Sequence, residues 1–148
     1  MSPTTQLDAL AHELGAFIDL LEQESGALAA NQADNLAPLI LQRESANLRL
    51  SRLWQALALD MGQAAGTSME ALRERCQALA PEHWQRVEEK LRHADWMNRL
   101  NSRLIDEQLR RTQLAIQVLR HAAGGRTLYG ADGRVSEFLN HNRSIDSA

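Results

Sequence analysis

The sequence predicts an all-α fold: an antiparallel helical hairpin, a short helix and one long C-terminal helix, packed as a coiled-coil-like bundle. Three observations carry that prediction. Leucine and alanine dominate while aromatic residues make up only 4% of the chain. Apolar residues recur at alternating steps of three and four, and no run of β-branched residues alternates as a strand would. Proline and glycine fall mostly where these periodic segments break. At 148 residues the chain is long enough to bury a real core, and it divides into a helical bundle over 1–123 and a flexible, glycine-containing tail over 124–148.

The first helix is expected over about 5–30. Its stripe is Leu7, Leu10, Leu14, Phe17, Leu21, Glu24 and Leu28, with one polar member among seven. A short polar turn, "NQAD", follows, with Asp34 suited to cap the second helix and Pro38 expected in its first turn. The second helix runs to about Leu59 on the stripe Leu36, Leu39, Arg43, Ala46, Leu50, Leu53 and Leu57. A turn this short makes the pair antiparallel. After the linker "DMGQAAGTS" (60–68), Thr67 and Glu70 have capping-box spacing for a short helix ending near Leu79. There Cys76 sits with Leu72 and Leu79 at a packing position.

Pro81 restarts the chain, and no further proline or glycine occurs until Gly124. The 43 residues from Pro81 to Ala123 make one helix of about 64 Å. Heptad steps from Trp84 reach Val87, Leu91, Ala94, Asn98, Asn101, Ile105, Gln108, Thr112, Ala115, Leu119 and Ala122. None is charged, and the four polar ones all lie between 98 and 112. Met97, Leu100 and Leu104 form a second stripe beside this line. Two readings of the amides stand: they are interior groups that set helix register, or part of this face is open to another chain's helix. Length favours an open stretch, because two helices of about 25 residues cannot cover a partner of 43.

Charge is uneven. Residues 1–42 carry six acids and no Lys or Arg, whereas 86–126 carry nine bases and five acids. That pattern predicts an acidic helix lying antiparallel to a basic one. A net charge of −3, with acids interrupting the bases and no aromatic stacking set, argues against nucleic acid. The start lacks signal-peptide features and no 18-residue apolar run exists, so a cytoplasmic protein without membrane insertion is expected. One cysteine excludes an internal disulfide and the usual zinc clusters. No Glu-x-x-His of a di-iron bundle and no phosphate loop occur. The expectation is a non-enzyme that needs no cofactor or metal.

The stretch "NRLNSRLIDEQLRRTQLAIQVL" (98–119), followed by "TLYGADGR" (127–134), resembles the C-terminal half of FlgN-type flagellar export chaperones. The matching pattern is Asn98-x-x-Asn101-x-x-Leu104-Ile105-x-x-Gln108, then a helix end and a Leu-Tyr-Gly turn. The resemblance implies a small cytoplasmic helical protein that holds the hook-filament junction proteins FlgK and FlgL by their C-terminal regions before type III export. It further implies docking to the export gate protein FlhA. Carried onto this chain, Met97, Asn98, Leu100, Asn101, Leu104, Ile105, Gln108 and Leu109 become the client-binding candidates. Leu128 and Tyr129, in the glycine-flanked turn, become the gate contact. The competing reading is a structural coiled-coil subunit or generic adaptor that self-associates.

Overall fold

A computed structural model describes residues 2–62 and 68–124. Its described residues form four helices, α1 (Pro3–Ala29), α2 (Ala33–Asp60), α3 (Met69–Leu79) and α4 (Pro81–Gly124). The chain divides into two units between Ile105 and Asp106. The bundle-to-tail boundary expected at 123/124 falls where the described residues end.

In the first unit, α1 is the hub. Ser2 caps it, its Oγ accepting from the Thr5 N–H at 3.3 Å, and Pro3 occupies the first helical position. All seven stripe residues from Leu7 to Leu28 are buried, as are Gln6, Ala11, Ile18 and Ala27 beside them. A face this wide serves more than one neighbour. At its far end the Gln32 N–H reaches the Ala27 carbonyl at 2.9 Å, and the Asn31 N–H reaches that of Leu28 at 3.2 Å. Asn31 takes φ 56°, the left-handed conformation that asparagine tolerates better than most residues.

That closure changes the next start. Gln32 becomes the residue before α2 and makes no side-chain cap, so Asp34 is not the cap expected of it. It lies instead within the first turn, where its carboxylate complements the helix dipole. Because α2 begins at Ala33, Pro38 is its sixth residue rather than a first-turn one, and it forfeits a bond to the Asp34 carbonyl. The seven-residue stripe of α2 faces inward throughout: Ala46, Leu50 and Leu57 are buried, and the rest are half-buried. Ser68, not Thr67, caps α3, its Oγ accepting from Ala71 at 3.3 Å. Glu70 then falls one position short of capping-box spacing.

Helix directions follow from the cross-contacts. Gln6 bonds Asp60, Glu13 pairs with Arg49, and Glu24 pairs with Arg43, so α2 runs antiparallel to α1. Asp8 meets His83 at 2.8 Å, the Ala11 carbonyl accepts from Lys90 Nζ at 3.0 Å, and the Leu21 carbonyl accepts from Asn101 at 3.0 Å. Numbers rise together along both helices, so α1 and α4 are parallel. The acidic-on-basic pairing holds, but its expected antiparallel sense does not. The reason is that α2 ends beside the start of α1, where Asp60 meets Gln6, and α3, 11 residues and about 16 Å long, is too short to span α1, so α4 begins at that same end.

The core gathers the α1 stripe from Leu7 to Leu21, Ala46, Leu50, Leu57 and Met61, Leu72 and Cys76, and Trp84, Val87, Ala94 and Met97. Trp54 and Trp84 meet edge-on, their centroids 6.2 Å apart. Cys76 is fully buried 3.7 Å from the Met61 sulfur, and burial pushes its thiol up to about 11. Packing is its role, as expected, although its sequence companion Leu79 is exposed.

Candidate interaction surface

Within the first unit, α4 turns one line of side chains inward. Trp84, Val87, Ala94, Met97 and Asn101 are buried, and Leu91, Leu100 and Leu104 are half-buried. The line takes a three-residue step from Ala94 to Met97 where the heptad takes four. A helix of 3.6 residues per turn drifts from a strict 3.5 repeat, and such a step re-aims its buried side. Asn98 and Ile105 are thereby turned out, Ile105 to 51% exposure.

The two amides of the sequence pattern therefore part company. Asn101 is interior: its Nδ2 donates to the Leu21 carbonyl at 3.0 Å and lies 3.5 Å from Glu24 Oε2. Glu24, itself buried, is also 3.4 Å from Arg43 Nε. One polar node thus joins α1, α2 and α4. Part of its signal was present in the sequence, because Glu24 and Arg43 are the lone polar members of their stripes, while Asn101 is one of four on the α4 line. Asn98 takes no part in it and is exposed.

The eight client-binding candidates thus sort by exposure. Met97 and Asn101 are buried; Leu100, Leu104 and Gln108 are half-buried; Asn98, Ile105 and Leu109 are exposed. Gln108 and Leu109 belong to the second unit. Leu128 and Tyr129 lie outside the described residues. In the second unit the described part of α4 is mostly open, with Leu109, Leu114, Ile116, Val118 and Leu119 all exposed. Thr112 is exposed too, its hydroxyl donating back to the Gln108 carbonyl at 3.0 Å.

Other surface features sequence reasoning did not single out. Ile40, Leu41 and Leu48 are exposed on α2, and Trp96 is exposed on α4 beside His93. A groove of about 320 Å³ between α3 and α4 has Met69, Trp84 and Leu91 on its apolar side. Arg73, bonded to Glu88, stands at its wall. Among the described residues, no group of His, Cys, Asp or Glu is placed to hold a metal ion, and no helix is long and apolar enough to cross a membrane.

With this geometry in hand, comparison with known proteins is informative. The family described as FlgN protein matches residues 1–137. The flagella synthesis protein FlgN of Salmonella typhimurium is 42% identical over 55 residues, and that of Salmonella typhi is equally similar. The aligned stretch is 37% of this chain and 39% of either relative, so the chain spans about two fifths of the curated relatives it matches. No solved structure matches it. Since the family match runs from α1 through all of α4, this chain belongs to the FlgN family.

Proposed function

We propose that this protein is a cytoplasmic, non-catalytic chaperone of flagellar type III export, which holds the C-terminal regions of the junction proteins FlgK and FlgL and delivers them to the gate protein FlhA. The observation that carries the reading is the uncharged set Asn98, Ile105 and Leu109, exposed on α4 while the neighbouring Met97 and Asn101 are consumed by the chain's own core. A client segment that is disordered alone orders itself on binding and needs apolar side chains to repay that entropy. Exposed Ile105 and Leu109 supply them, and Asn98 supplies an amide that matches a helix's polar flank. Membership of a family whose relatives are named for flagella synthesis supports the assignment. Leu128 and Tyr129 are the residues proposed for the gate.

Calorimetry with the full chain and a C-terminal FlgK or FlgL segment tests it. Ile105→Asp and Leu109→Asp each weaken binding about tenfold or more with helix content unchanged, whereas Leu48→Asp on α2 leaves it intact. Unchanged affinity in both α4 variants would remove the client assignment. Tyr129→Ala spares the client segment and weakens capture of FlhA's cytoplasmic part; equal loss of both would sink a separate gate contact.

A further inference from the structure

The exposed apolar line of the second unit has an internal symmetry. Leu109, Thr112, Ile116 and Leu119 step by three, four and three, the spacing of alternating a and d positions in a heptad. The line is symmetric about Leu114: Leu109 and Leu119 stand five residues to either side, Thr112 and Ile116 two. Leu109 is 56% exposed, Ile116 43% and Leu119 68%, so the described residues do not cover the line. Thr112 fits a seam because its hydroxyl is already satisfied within its own helix.

We infer that this line is a self-complementary seam on which a second copy of the chain lies antiparallel. An isologous contact needs one patch that matches itself after a twofold rotation. In the antiparallel arrangement every a position meets a d position. Leu109 faces Leu119 of the second copy, and Thr112 faces its Ile116, each layer appearing twice. The charges select the same arrangement. Asp106 and Arg120 both fall on e positions, which face each other across an antiparallel seam, so Asp106 meets Arg120 of the second copy and the reverse. A parallel pair brings these two charges no partner. Glu107, Arg110, Arg111 and His121 fall on outer positions and oppose neither arrangement. Within one helix Asp106 and Arg120 are about 21 Å apart, too far to meet. Their complementarity is therefore between molecules or it is nothing. Four layers make a small interface, which dissociates at micromolar concentration.

Sedimentation equilibrium of the full chain, without any client, reads the proposal from roughly 10 to 500 µM. The expected result is a reversible monomer–dimer equilibrium. Asp106→Arg and Arg120→Asp each weaken it about tenfold by setting like charges opposite, and the two together restore it to within about threefold. Leu109→Asp abolishes the dimer while circular dichroism shows helix content unchanged. A full chain that stays monomeric, because residues 125–148 cover the line or because it awaits a client, overturns the inference. So does a double variant as weak as either single one, or a dimer indifferent to all these changes. The dimer stands or falls without reference to FlgK, FlgL or FlhA, so its failure is separable from that of the export role.

Discussion

Two stretches of α4 carry the same kind of pattern and meet opposite fates. From Trp84 to Asn101 the apolar line is buried by α1, α2 and α3; from Leu109 to Leu119 a line with similar spacing stays in solvent. Periodicity thus says that a helix has a side to bury and says nothing about who supplies the cover. What separates the two is the length of the other helices: α1 has 27 residues and α2 has 28, against 44 in α4. The interior stretch supports the fold, and the open stretch is available for something else.

The contrast is sharpest in truncations. Leu10→Ala, at a fully buried site in the core that holds the interior stretch, destabilises the protein by about 2–5 kcal/mol in denaturant titration. Leu119→Ala stays within about 0.5 kcal/mol. A large loss at Leu119 would mean that the open stretch is part of the core after all. The two asparagines repeat the test with charge. Asn101→Asp sets a buried carboxylate beside Glu24 and costs about 3 kcal/mol, while Asn98→Asp at the exposed site is nearly neutral. Equal effects would dissolve the distinction between node and surface.

Next in size is a pH dependence. The Cys76 thiol titrates near 11 in the fold against 9.0 ordinarily, so above pH 9 the unfolded chain releases a proton that the native state retains. Stability falls as pH rises from 9 towards 11, by on the order of 2 kcal/mol. Cys76→Ala flattens the slope by this amount while keeping any other alkaline loss, and a slope unchanged by the substitution contradicts the burial of the thiol. The smallest effect compares two glycines of α1. Gly26→Ala meets nothing within 4 Å and stabilises by about 0.5–1 kcal/mol. A methyl at Gly15 comes 3.0 Å from Lys90 Nζ and disturbs its bond to the Ala11 carbonyl, so Gly15→Ala gains less. Equal gains in thermal melts would show that the lysine yields freely.

How far this could be read from the chain differs by element. The α1 stripe was legible to the last residue, because one helix buried on a wide side tolerates small errors of phase. Caps were less so: Asp34 and Thr67 have the right chemistry, but the closure at Asn31 and the choice of Ser68 settled the starts elsewhere. Charge pairing between α1 and α4 was legible and its direction was not, since opposite charges attract in either sense while the path of α3 decides. At the candidate site, a strict heptad placed Asn98 and Asn101 together. The three-residue step at Met97 separated them, and only the packing of α1 against α4 dictates where such a step falls.

Cys76 carries a last consequence. A single sulfhydryl walled in by Met61 and Leu72 is inert until the helices around it part. Its rate of modification by a thiol reagent therefore counts openings of the native bundle, a built-in clock that needs no engineered probe.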